Sequence, residues 1–212
     1  MKKFELTSEF ITNISGTKLF RIKALVEFGN IKAGELGGYI EKEENLDQDG
    51  DAWVYGNAKV YGNAKVYGDA KVCGDAKVNG NAEVCGDAWV CGNAKVYGDA
   101  EVYGDAKVHG NAEVCGDAEV YGDAWVYGDA WVYGDAKVCG DADYAYAHGF
   151  GSEYRTTTFF RLRNGDVGVR CGCFYGTLQE FRDKVRATHK ETKKAKEYLM
   201  LADLMELRFL KE

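Results

Sequence analysis

The sequence predicts a mainly-β chain, a parallel β-helix closed at each end by a different small domain, and three observations carry that prediction. The 212 residues include 27 glycines and no proline, whereas unstructured glycine-rich chains usually carry proline as well, so the glycine serves a regular backbone pattern. From Gly50 to Cys139 a six-residue unit, Gly-(Asp/Asn)-Ala-x-Val-x, recurs in fifteen complete copies without insertion. Within each unit Ala-x-Val alternates with period two, so Ala and Val point to one side of a short strand and the variable residues to the other.

Residues 1–49 come first and read as an N-terminal β cap and lead-in. Phe4 to Phe28 is strand-like, with Asn13-Ile14-Ser15-Gly16 as a turn and Lys18 to Val26 as the strongest strand. Ala33 to Ile40 leads into the first coil. The start, Met1-Lys2-Lys3-Phe4, lacks the apolar stretch of a secretory signal, and no run of about 18 apolar residues offers a membrane span. Of the seven cysteines, five fall at one repeat position, which suits reduced thiols rather than a disulfide framework. The expectation is a soluble protein of the cytoplasm, without a membrane partner.

Residues 50–145 form the β-helix proper. Ala and Val are its interior, and the Gly-(Asp/Asn) pair supplies each corner, because these residues accept positive φ and the Asx side chain bonds nearby backbone. A sixteenth unit, Gly140 to Ala145, replaces Val with Tyr144, as expected where an array meets its cap. One hexapeptide cannot bury its own Val face, so units must wind and stack, pairing each strand with the coils on either side.

This spacing resembles the hexapeptide-repeat left-handed parallel β-helix superfamily, which includes acyltransferases and γ-class carbonic anhydrases. The segment Ala33 to Leu46 with the repeat after it also resembles uncharacterised bacterial and phage or prophage hexapeptide-repeat proteins. The resemblance implies a left-handed coil of three hexapeptides, about five coils in all, and assembly as a homotrimer. At about 4.8 Å per coil the prism would be roughly 25 Å long.

Residues 146–212 read as an α+β domain, a β-hairpin plus two helices. Thr156 to Arg163 and Val167 to Phe174 flank Asn164-Gly165, a two-residue turn signal. Thr177 to Glu180 is a capping box opening a helix with Leu178, Phe181 and Val185 on one face. A second helix, about Glu191 to Leu210, turns Tyr198, Leu201, Ala202, Met205 and Phe209 inward. Leu199, Leu204 and Leu207 widen its apolar surface, so it is either fully covered or an oligomer contact.

Stacking every eighteenth residue turns the repeat into a surface map. Trp53, Lys71, Trp89, Lys107 and Trp125 form one column, read either as a self-stabilising cation–π ladder or, through Trp53, Trp89 and Trp125, as an aromatic platform for a ligand or partner. Beside it run Tyr55, Cys73, Cys91, His109 and Tyr127. Cys73, Cys91 and His109 are metal-ligand types, but a straight ladder does not surround an ion and no fourth ligand is at hand, so no metal and no cofactor is expected. Cys171 and Cys173 are placed on one side of a strand. Asp51, Asp69, Asp87, Asp105, Asp123 and Asp141 stack at one corner, each expected to cap its own turn, in a rod with 16 acidic and 7 basic residues.

The C-terminal end has 13 basic and 9 acidic residues; there Lys190, Lys193, Lys194 and Lys196 beside Arg182 and Arg186 form either an anion site or a solvated helix face. The enzymes resembled here rely on a histidine base or a three-histidine metal cluster. With only His109, His148 and His189, spread along the chain, His109 is the one catalytic candidate in the rod. The function expected is therefore a non-enzymatic binding or scaffold protein. Two alternatives stand beside it: a phage-type counter-defence protein that sequesters a nucleotide signal or occupies a host protein by mimicking DNA, and a hexapeptide-repeat acyltransferase.

Overall fold

In a computed structural model the chain is described over residues 2–151 and 153–209. Three stacks of short parallel strands form a three-sided β-solenoid of about six turns, followed by a small antiparallel sheet and two helices. The eighteen-residue register holds throughout the repeat: Val54 pairs with Val72, Val72 with Val90, Val90 with Val108 and Val108 with Val126. Every repeat Ala and Val from Ala52 to Val138 is fully buried, so the core is a narrow column of two side-chain types. The corners turn on glycine at positive φ, as at Gly98 (φ 77°).

The solenoid begins one coil earlier than the repeat. Strand β1 (Phe4–Thr12) pairs antiparallel with β2 (Lys18–Ala24), and β2 with β3 (Leu36–Ile40). β3 then pairs in parallel with the second repeat strand, Ile40 opposite Val60, and Leu46 bridges to Val66 of the third. Ile40 and Leu46 occupy the inward position that Val holds later, so this coil stacks without the Gly-Asx-Ala signature, and the count rises from the expected five to about six.

The open edge of the first coils is plugged by polar side chains. Lys3 is buried, and its ammonium donates to the carbonyls of Asp49, Gly50 and Ala52 at 3.1–3.2 Å. Burial pushes its pKa below the ordinary lysine value against the pull of Asp47, Asp51, Asp49 and Asp69. Asn45, also buried, donates to the carbonyls of Gly62 and Ala64. Such bonds satisfy backbone acceptors that an exposed strand edge would leave unpaired.

The far edge is closed likewise. Thr158 accepts the Trp131 N–H, Asp141 accepts that of Trp125, and the Tyr144 hydroxyl donates to the Trp125 carbonyl. Here the expected hairpin is part of a four-stranded antiparallel sheet, Tyr144–Phe150, Arg155–Arg161, Val167–Cys171 and Phe174–Thr177. The first of these strands starts within the degenerate sixteenth unit. Helix α1 (Leu178–His189) opens on the capping box Thr177/Glu180, and α2 (Lys193–Phe209) packs on it. Leu210, at the expected end of the second helix, lies outside the described residues, as does Met1. No helix among the described residues is long and apolar enough to cross a membrane.

Candidate functional site

The tryptophan column has the expected register, with Trp53 opposite Lys71, Lys71 opposite Trp89, Trp89 opposite Lys107 and Lys107 opposite Trp125. Lys71 lies 5.1 Å from the Trp89 ring centroid and Lys107 5.3 Å from that of Trp125. Trp53 departs from the aromatic platform. It is 0% exposed, covered by Phe4 and Phe28 of the N-terminal cap, while Trp89 and Trp125 are each 45% exposed. The platform is therefore two rings, two coils apart, with a lysine coil between them.

In the neighbouring column Cys73 and Cys91 are joined by a disulfide, their Cα atoms 4.6 Å apart, which corrects the expectation of reduced thiols at this pair. Adjacent rungs of a parallel stack fall within the Cα separation that a disulfide spans. His109 is turned to aromatic neighbours, 5.6 Å from the Trp125 ring and 5.9 Å from that of Tyr127, so the trio Cys73, Cys91, His109 is not assembled as a ligand set. Among the described residues no group of three His, Cys, Asp or Glu side chains is placed to hold a metal. Cys171 ends a strand and Gly172-Cys173 is the turn after it, so these two thiols do not share a strand face.

The corners differ by residue type. The Asn63 amide donates to Asn81 and that of Asn81 to Asp99; the Asn93 amide donates to Asn111 and that of Asn111 to Asp129. An amide both donates and accepts and so hands the ladder on, whereas a carboxylate only accepts and ends it. The all-Asp corner makes no such ladder. Asp69 accepts the N–H of Asp51, and Asp141 that of Trp125, so these two carboxylates reach to the preceding coil instead of capping their own turns.

The helical basic cluster is not one site. Arg182 is buried between the helices and bonds Asp203 at 2.9 Å and Glu206 at 2.7 Å, a structural tie whose charge is already met. Arg186 pairs with Asp183 and Lys193 with Glu197. Lys190 takes the positive-φ residue after α1, and Lys194 and Lys196 stand on the exposed side of α2. Intrahelical pairing at three and four residues' spacing consumes what the sequence shows as an excess of charge.

A different convergence of arginine lies where the last coil meets the C-terminal sheet. A cleft of about 390 Å³ is lined by Asp129, Trp131, Arg155, Thr156, Arg170 and Gly172. The Arg170 guanidinium lies 4.9 Å from the Trp131 ring centroid and 5.4 Å from that of Tyr133; its Nη1 donates to the Phe174 carbonyl, and its buried Nε has no partner. Of the eight arginines, Arg21, Arg161, Arg163, Arg182 and Arg186 are ion-paired, and Arg208 donates to a carbonyl. Among the described residues Arg155 and Arg170, like Arg208, have no carboxylate partner, and these two line this cleft.

The turn after Cys171 shapes the site. Gly172 has φ 57°, and a Cβ there would lie 2.6 Å from Arg155 Nη1, so glycine leaves the space that the guanidinium occupies. Thr156 exchanges a 3.0 Å hydrogen bond with His148 Nδ1, and Asp129, the single acid in the lining, accepts the Asn111 amide. The lining thus carries two cations and one anion around an aromatic ring. None of these residues was singled out from sequence; the one legible signal was arginine at outward strand positions beside an array's final coil. No protein-family model matches the chain, and no curated protein matches it.

Proposed function

We propose that this chain is a non-enzymatic binding protein, a rigid acidic β-solenoid that presents a C-terminal α+β domain and acts as a homo-oligomer, the trimer being the state implied by its resemblance to hexapeptide-repeat proteins. The unbroken interior carries this reading: from Ala52 to Val138 no loop, polar side chain or altered register interrupts the stack. A catalytic centre in such a repeat requires groups that break the pattern, and consistency at every level marks a structural element. His109, the catalytic candidate, is flanked by Trp125 and Tyr127.

Support for self-association comes from α2. Met200, Leu204 and Leu207 are 71%, 55% and 69% exposed on the side opposite the buried Ala195, Tyr198, Ala202 and Met205, an apolar stripe of the kind that copies of a chain cover in an oligomer. A second reading, sequestration of a small anionic ligand as in a counter-defence protein, is favoured by the two unpaired arginines of the cleft. The test of the main reading is an acyl-transfer and thioester-hydrolysis assay on wild type and His109→Ala. Both should match the buffer rate, and turnover that His109→Ala removes would overturn the non-enzymatic assignment.

A further inference from the structure

We propose that the cleft between the last coil and the C-terminal sheet binds a small phosphorylated ligand that carries a planar ring, a mononucleotide-class molecule, with Arg155 and Arg170 on the phosphate and Trp131 against the ring. The inference rests on the binding-protein reading above and names its ligand.

Arginine forks match phosphate geometry, and donors left without a protein acceptor are the ones a ligand can satisfy. Among the described residues Arg155 is exposed with no protein acceptor, and Arg170, which also lines the cleft, has no carboxylate partner. Arg170 is held in place by Trp131 and Tyr133 and by the Phe174 carbonyl, so little side-chain freedom remains to be lost on binding. The half-buried Trp131 and the guanidinium planes form a stacking surface of the type that receives nucleobases. The volume, about 390 Å³, falls in the range of roughly 300–1,000 Å³ typical of small-ligand sites. Gly172 is part of the construction, since any side chain there would displace Arg155.

The experiment is isothermal titration calorimetry of the full chain with the four ribonucleoside monophosphates, with adenosine and with inorganic phosphate. At least one monophosphate should bind saturably and about tenfold or more tightly than phosphate or adenosine alone. Arg155→Gln, which removes an exposed guanidinium and should leave the circular dichroism spectrum unchanged, should weaken that binding at least tenfold. Arg170→Gln should do the same. Lys193→Glu/Lys194→Glu/Lys196→Glu should leave it unchanged. Absence of saturable binding, or binding lost in the lysine variant and kept in Arg155→Gln, overturns the proposal while the binding-protein reading stands. Phosphate binding as tightly as the monophosphates removes the ring from the assignment and overturns it as stated. Turnover of a bound monophosphate would instead overturn the non-enzymatic reading and leave the cleft as the site.

Discussion

The corner glycines offer a test in which backbone conformation is held constant and only space varies. Gly56 and Gly98 occupy the same position of the repeat, at φ 58° and 77°. At Gly98 an added Cβ would lie 3.0 Å from the Gly116 nitrogen and 3.1 Å from its carbonyl oxygen, whereas at Gly56 the nearest atom, the Gly74 carbonyl oxygen, is 3.8 Å away. Left-handed backbone costs an L-residue about 1–2 kcal/mol, and restricting the unfolded chain returns about 0.4–1 kcal/mol. Gly56→Ala should therefore destabilise by about 0–1.6 kcal/mol. Gly98→Ala adds a backbone clash between coils, and overpacking of this kind costs about 1–3 kcal/mol more. Urea denaturation followed by far-UV circular dichroism reads both. Equal losses in the two variants, at equal dependence on urea, would refute the claim that close coil stacking requires glycine at this corner.

Reducing the Cys73–Cys91 disulfide, which closes a loop of 18 residues, should lower stability by roughly 3 kcal/mol; an unchanged urea midpoint with and without reductant contradicts the bond. Burial raises the Cys85 and Cys115 thiols above the ordinary cysteine value, so at neutral pH both should react with a thiol reagent more slowly than exposed Cys139 and Cys173, read by mass mapping. The Glu180 carboxyl is held below its ordinary pKa by the Thr177 backbone N–H and then by the Thr177 hydroxyl. A depressed carboxylate stabilises above its unfolded pKa, about 4.3, and that support is lost as pH falls through the folded value, so α1 should fray at its start in acid. Thr177→Val should raise the Glu180 pKa in an NMR titration, and no movement would contradict the capping box. Arg182→Ala leaves Asp203 and Glu206 without their shared partner and should destabilise the helical pair by about 1–3 kcal/mol in thermal unfolding.

The repeat was legible because its period fixes everything that depends on register. Once three hexapeptides make a coil, Trp53 must oppose Lys71 and Val54 must oppose Val72, and they do. Burial by other segments was not legible: Trp53 sits at an outward position, yet a cap far away in sequence folds Phe4 and Phe28 over it. The first coil escaped notice because Ile40 and Leu46 supply inward bulk without the glycine corner that made later coils visible. Lys3 reads as a surface charge until its ammonium is found on three carbonyls. The basic helix was legible only as a count of charges, which does not reveal that Arg182 faces Asp203 and Glu206 on the neighbouring helix. The arginine cleft was missed for the complementary reason, because Trp131, Arg155 and Arg170 come together only through the docking of the sheet on the last coil.

Native mass spectrometry of the full chain, purified from its expression host, weighs the assembly and any retained ligand together. A homo-oligomer is expected, with three protomers, each of which takes up an added ribonucleoside monophosphate that the Arg155→Gln protein does not retain. A monomer that retains no such ligand under the same conditions would contradict it.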